Sequence, residues 1–413
     1  MKRTGYYNTG KALLSASLLW LLAGCSDGGE TPPIPESPFT YFISVSDSAQ
    51  YTAEEFAAKT VGTSYPVTFP ENGADIRVDI LHYTTVDPTG QPVVASGIVA
   101  YPLPDANREA QPVAAADVLL AEHYTIAANR EAPSETMCIM ESAAALFGYV
   151  VMTPDYLGFG VSRELPHPYL HAKSTARASI DFLFAAREYF ETKAYPLKEE
   201  IYIAGYSQGG AAALAVQQMA EEEYPDDVHI VKVIAGGGPY DLTAIVDELR
   251  ATGEMTRPSM LAMIPIGLDY GDNLHLDYNN VFTGALLSNY NEWIISKNYT
   301  TDEIDDRIGM GAINRYLHAD FFAPAETTNS EFRKLNESLV RNSLIDWTPR
   351  APIVLVHGTS DELAPFYCAQ NALNSFRERG CDVTLIPVPG QTHYGSATLY
   401  ALQLILNLNI LPQ

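Results

Sequence analysis

The sequence predicts an α/β protein with a mostly parallel central sheet, helices on both faces and a mainly helical insertion late in the chain. Three observations carry that expectation. From Tyr149 onward, short apolar β-prone runs alternate with helix formers, the pattern of βαβ units. Gly205-Tyr206-Ser207-Gln208-Gly209 stands between a strand former, Ile201 to Ala204, and a helix former, Gly210 to Val216. Residues 241–348 separate the strand ending at Gly236-Gly237-Gly238-Pro239 from the next core strand at Ile353. A stretch that long needs structure of its own.

Taken in order, Thr52 to Lys59 reads as a short helix. Ile76 to Val86 and Val93 to Tyr101 read as strands. Asp87-Pro88-Thr89-Gly90 between them is a turn signal, so they form an antiparallel hairpin. Strands follow at Asp117 to Ala121 and Tyr149 to Thr153. Next come a helix over Ser174 to Glu191, the strand at Ile201, a helix over Gln208 to Glu223 and a strand over Ile230 to Ala235. In the insertion, Ile245 to Arg250, Ser259 to Leu268, Glu292 to Ser296 and Ile304 to Tyr316 read as mostly helical. Strands Ile353 to Val356 and Val383 to Val388 complete the sheet, with helices over Phe366 to Arg379 and from about Ser396 to Leu408.

Composition narrows the partners. The chain has 413 residues, 47% hydrophobic and 18% charged, ample for a large core. Its 25 Lys+Arg against 50 Asp+Glu give a net charge of −25, which repels phosphate backbones and argues against a nucleic-acid partner. It also disfavours electrostatic docking on anionic lipid. Cys138, Cys368 and Cys381 carry no metal-binding spacing, and no structural zinc site is expected. The helix expected between Cys368 and Cys381 keeps that pair out of disulfide reach. A pairing of Cys138 stays open.

The N-terminus reads as a targeting segment. Lys2, Arg3 and Lys11 precede a short apolar run that ends in Leu21-Leu22-Ala23-Gly24-Cys25. That ending resembles the lipobox of bacterial lipoproteins. The resemblance implies a leader over residues 1–24, lipidation at Cys25, and attachment to the bacterial cell envelope, at the outer membrane, facing the periplasm or the surface. Residues 25–50, rich in proline, read as a flexible tether. Asp27 and Glu30 just after Cys25 resemble an export signal of surface lipoproteins. The remaining expected segments are a core over 51–240, a cap over 241–348 and the end of the core over 349–413.

Gly205 to Gly209 matches G-x-S-x-G, the nucleophile elbow of the α/β-hydrolase fold. A serine hydroxyl needs a base to take its proton and an acid to orient that base. In this fold the order is Ser, then Asp or Glu, then His, each after a core strand. Strand Ile353 to Val356 runs into His357-Gly358-Thr359-Ser360-Asp361-Glu362. Strand Val383 to Val388 runs into Pro389-Gly390-Gln391-Thr392-His393. Ser207, Asp361 and His393 are therefore expected at one edge. Glu362 is the alternative acid, one position further from its strand. His357 is expected to anchor the acid loop. His167 and His171, beside Pro168, read as a surface loop, with a place in the pocket wall as the alternative. For the oxyanion hole, the backbone N–H of Gln208 is the first expected donor. Tyr124, after strand Val118 to Ala121, is the second, with Thr125 as its alternative.

The blocks Pro154-Asp155-Tyr156-Leu157-Gly158-Phe159-Gly160, Gly205 to Gly210 and His357-Gly358-Thr359-Ser360-Asp361 resemble the secretory lipase family, the lipase-A-like branch of the α/β-hydrolases, over roughly residues 65–410. The resemblance implies a serine ester hydrolase of lipase or esterase type without cofactor, a cap over an acyl pocket, and a structural Asp155. Its expected partner is a small-molecule ester, lipid or glycan-linked. A serine peptidase of short peptides on the same fold is the competing reading, and a non-catalytic surface-binding lipoprotein the third.

Overall fold

The computed structural model describes residues 37–61, 73–103, 114–324 and 326–408. The expected leader over residues 1–24 and Cys25 lie outside them. The central sheet is built by β1 (Phe42–Tyr51), β2 (Ile76–Val86), β3 (Pro92–Pro102), β4 (Ala116–Glu122), β5 (Val150–Pro154), β6 (Leu197–Tyr206), β7 (His229–Gly236), β10 (Ile353–Gly358) and β11 (Val383–Val388). Two short strands in the insertion, β8 (Glu254–Met255) and β9 (Gly311–Ala312), pair with each other alone. The spatial order is β1-β2-β3-β5-β4-β6-β7-β10-β11. The pairs from β1 to β5 through β3 are antiparallel, and those from β5 onward are parallel. This is the mixed, mostly parallel sheet of the α/β-hydrolase fold.

Strand alternation sorts the core into two layers. In β6, Ile201 and Ile203 point to one face, and Ala204 and Tyr206 to the other. The first face is covered by α3 (Ala172–Thr192), α4 (Gln208–Glu223) and α10 (Phe366–Glu378), which contribute Phe182, Leu214 and Phe376. The second is covered by α1 (Ala53–Val61) and α11 (His393–Asn407), which contribute Phe56, Tyr400 and Leu404. Short α2 (Pro133–Thr136) stands in the connection between β4 and β5.

The insertion is mainly helical, as expected. It contains α5 (Leu242–Thr252), α6 (Pro258–Asp272), α7 (Gly284–Tyr290), α8 (Thr301–Ile308) and α9 (Ser330–Asn342). They share a separate apolar cluster with Leu261, Phe282, Ile304, Phe332 and Leu339 at its centre.

Four boundaries differ from the sequence reading. The tether expected over 25–50 ends early, because Phe42 opens an edge strand. That strand is mostly polar and half-exposed, so it carries no hydrophobic alternation to read. It is held through its backbone, where the Glu188 carboxylate accepts from the N–H groups of Thr40, Tyr41 and Phe42. The helix expected over Ile304 to Tyr316 stops at Ile308, since Gly309 takes φ 84 and Gly311 φ 118, outside helical space. Helix α9 was not expected at all; its mean composition is polar and its apolar residues lie on one stripe. Helix α11 starts at His393 rather than near Ser396, capped by Thr392, whose side chain accepts from the N–H of Gly395.

Candidate active site

The strand β6 ends at Tyr206 and α4 begins at Gln208, leaving Ser207 alone at the turn with φ 59 and ψ −121. A non-glycine residue held there is strained, which presents its side chain above the sheet edge. The flanking glycines are steric necessities. A Cβ on Gly205 would stand 2.2 Å from the Gly209 carbonyl oxygen, and one on Gly209 would stand 2.1 Å from that of Glu122. The second clash also shows that the end of β4 runs directly against the N-terminus of α4.

Ser207, His393 and Asp361 meet as the spacing predicts. His393 Nε2 lies 2.9 Å from Ser207 Oγ, and His393 Nδ1 lies 2.8 Å from Asp361 Oδ2. The strands bring them together because Gly358 and Val388, which end β10 and β11, pair in register, so the following loops emerge side by side. Asp361 and His393 are buried. Asp361 Oδ1 accepts from the N–H groups of Leu363 and Ala364, at 3.0 and 2.8 Å. A carboxylate so bonded is held in one orientation. Glu362 takes a different place: its Oε2 accepts from the backbone N–H of His393 at 3.1 Å, not from the ring.

His357 is fully buried and its Nε2 donates to the Ala364 carbonyl, 2.6 Å away, tying down the loop that carries Asp361. Burial pushes its pKa down. A second tie comes from Tyr206, beside Ser207. Its hydroxyl contacts the His393 carbonyl and lies 2.7 Å from Ser396 Oγ.

Of the residues expected at the oxyanion hole, Gln208 opens α4, where the first N–H groups of a helix have no partner within it. Tyr124 follows His123, whose carbonyl approaches Gly209. Tyr124 is 52% exposed and its carbonyl lies 2.7 Å from His123 Nδ1. The Thr125 hydroxyl instead meets the Tyr169 hydroxyl at 3.0 Å. Asp155 braces the neighbouring loops. Its carboxylate accepts from Ser96 Oγ at 2.5 Å and from the N–H of Ser134 at 2.8 Å.

The space beside Ser207 and His393 is narrow, about 40 Å³. Leu249, Met255, Met260 and Ile264 of the insertion wall it, with Leu363 and Tyr169 of the core. A larger groove of about 620 Å³ opens at the other end of the sheet beside Tyr195, Lys198 and His229, away from the nucleophile. Among the described residues no cluster of three His, Cys, Asp or Glu side chains is disposed to hold a metal, and Cys138, Cys368 and Cys381 are unpaired. No described helix is long and apolar enough to cross a membrane.

The sequence reading missed the two buried acids behind this edge. Glu122 accepts from Ser179 Oγ at 2.9 Å, and Glu141 from the Tyr400 hydroxyl at 2.9 Å. Burial pushes both carboxyls up to about 7. His167 and His171, read as a surface loop with the pocket wall as the alternative, are both buried, and His167 touches the Gln208 side chain. No local motif marks these residues, because their partners are distant in sequence.

Comparison with known proteins agrees with the architecture. The secretory lipase family model matches residues 131–256, which include the elbow. A secreted triacylglycerol lipase of Malassezia globosa is 24% identical over 250 residues, 58% of this chain and 50% of that protein. The chain thus spans about half the length of the curated relative it matches. A putative hydrolase of Legionella pneumophila superposes with TM-score 0.76 at 23% identity, covering 89% of this chain and 97% of that one. The rice cell wall degrading esterase LipA of Xanthomonas oryzae superposes with TM-score 0.69 at 25% identity, covering 89% and 96%. On its α/β-hydrolase core, with a serine at the elbow and a helical insertion before the acid-bearing strand, the chain resembles the secretory lipase family.

Proposed function

We propose that the chain is a serine hydrolase of carboxylic esters, of lipase or esterase type. The observation that carries this reading is the continuous hydrogen-bonded chain Asp361–His393–Ser207 at a strained elbow beside an apolar cavity. Ser207 Oγ attacks the ester carbonyl carbon while His393 Nε2 takes its proton. Asp361 holds the ring so that Nδ1 carries a hydrogen and Nε2 is free to accept. The N–H groups of Gln208 and Tyr124 receive the negative charge that develops on the carbonyl oxygen. His393 returns the proton to the alcohol as the C–O bond breaks, leaving an acyl-enzyme. Water, deprotonated by the same ring, then releases the acid.

Leu249, Met255, Met260 and Ile264 support an apolar acyl group, and among the described residues no charged side chain lines that cavity to hold a peptide terminus. This favours ester over peptide. The neighbours named as a triacylglycerol lipase and an esterase support the same class. The segmentation belongs to this reading: residues 241–348 are a cap on a core formed by 51–240 and 349–413, to which β1 adds its strand. Residues 1–24 are a leader and Cys25 a lipid anchor in a bacterial envelope, readings that rest on sequence alone.

The test is direct. A fluorophosphonate should label Ser207 and no other serine, and p-nitrophenyl esters should turn over faster than aminoacyl-p-nitroanilides. Labelling that survives in Ser207→Ala sinks the assignment, and faster anilide turnover moves the protein to the peptidase class. For the anchor, Cys25→Ala should shift the protein from the membrane fraction to the soluble one; unchanged fractionation ends that reading.

A further inference from the structure

Gln208 stands next to the nucleophile, and its side chain does something its backbone role does not require. It is 2% exposed. Its Nε2 lies 3.1 Å from His167 Nε2, while its Oε1 finds no hydrogen-bond partner among the described residues. The tautomer of His167 follows from its surroundings. His167 Nδ1 lies 2.8 Å from the Leu157 carbonyl, which can only accept, so Nδ1 carries a hydrogen. Burial pushes the ring pKa down to about 3, so it holds no second proton. Nε2 is therefore a lone pair, and the Gln208 amide donates to it. One hydrogen bond thus fixes an otherwise unanchored buried amide.

His167 is itself gripped by the Asp155–Gly160 turn. Gly158 has φ +90, and a Cβ there would stand 2.6 Å from His167 Cα. The Phe159 ring centroid is 4.7 Å from that of His167, and the Tyr156 ring lies parallel to it at 6.3 Å. Asp155 anchors the start of the turn to Ser96 and Ser134. A connection thus runs from that turn through an imidazole and an amide to the residue after Ser207.

We propose that His167 is a positioning residue, which aims the backbone N–H of Gln208 at the developing oxyanion by holding the Gln208 side chain against the Asp155–Gly160 turn. The inference rests on the assignment of Ser207 as nucleophile. Its physical basis is that a backbone donor stabilises the transition state only when it points at the oxygen, and a displacement of ~1 Å can cost ~10²-fold. The Gln208 peptide and side chain share one Cα, so fixing the amide at the far end restrains the peptide plane.

The probe is a fluorophosphonate, whose phosphoryl oxygen occupies the same position as the ester oxyanion and whose reaction needs no knowledge of the natural substrate. His167→Phe should slow the limiting rate of Ser207 labelling about 10–100-fold, with little change in the concentration giving half that rate. His167→Gln, which restores an acceptor near the Nε2 position, should recover most of the loss. In a Gln208→Met background, His167→Phe should add no further loss, because the connection is already cut. Circular dichroism melting of each variant separates packing from positioning. Equal slowing by His167→Phe in both backgrounds, or slowing that His167→Gln does not relieve while melting falls in step, overturns the proposal. Failure of the native protein to label at Ser207 condemns the hydrolase reading instead, so the two failures are distinct.

Discussion

The sheet core and the helical insertion bury comparable kinds of residue yet fix them by different means. In the core, Ser207, Asp361 and His393 each sit just past a strand whose neighbours are hydrogen-bonded in register, so backbone pairing sets their separation. In the insertion, helices, two-residue strands and turns close around an apolar cluster, and side-chain packing, helped by the β8–β9 pair that holds Met255, sets the walls beside Ser207. The core should therefore govern whether chemistry occurs, and the insertion which acyl group it occurs on.

The sharpest way to break that division is in the core. Ser207→Ala and Asp361→Asn should each lower kcat by roughly 10⁴-fold or more while melting temperature holds, by analogy with other triads. Steady-state kinetics with a p-nitrophenyl ester checks both. Glu362→Gln should cost far less, since Glu362 bonds the backbone of His393 rather than its ring; a loss equal to that of Asp361→Asn would reassign the acid.

Next in size is the interior of the insertion. Phe282 is fully buried there and does not line the cavity beside Ser207. Phe282→Ala should lower stability by about 3–5 kcal/mol without altering the ratio of kcat/KM between short and long acyl esters. Denaturant unfolding and the paired kinetics decide it. Smaller again is the wall: Ile264→Ala or Leu249→Ala should shift that ratio by about tenfold toward longer chains. If neither does, the insertion is structural and the division fails.

The smallest effect concerns pH. Glu122 ionises at about 7 in the folded protein because of burial, above its ordinary value of 4.5. The folded state then holds a proton that the unfolded state releases, so stability falls as pH rises from about 4.5 to 7. Glu122→Gln should flatten that slope in melting temperature measured across the window. An unchanged slope would mean that Glu122 does not hold that proton in the folded protein.

Much of this was legible in the sequence because the core obeys local rules. Ile201 to Ala204 before Gly205 to Gly209, and His393 after Val383 to Val388, are signals of strand, turn and position that need no knowledge of distant contacts. The edge strand from Phe42 was hidden because its stability comes from pairing with β2 and from Glu188, not from its own pattern. The break after Ile308 was hidden because apolar residues continue past two glycines in a helix-like rhythm. The burial of His167 was hidden because it is produced by the turn at Gly158, which sequence reveals only as a glycine.

The hydroxyl of Tyr206 reaches the carbonyl of His393 and the side chain of Ser396, so the residue covalently attached to Ser207 also grips the start of the helix that carries His393. Ser207 and His393 are thereby tied to one another across the second layer of the core. Fluctuations that displace one carry the other along. Heating should then silence the protein only when the sheet itself gives way, with the inactivation and unfolding curves superimposed, and in Tyr206→Phe the first curve should part from the second and fall earlier.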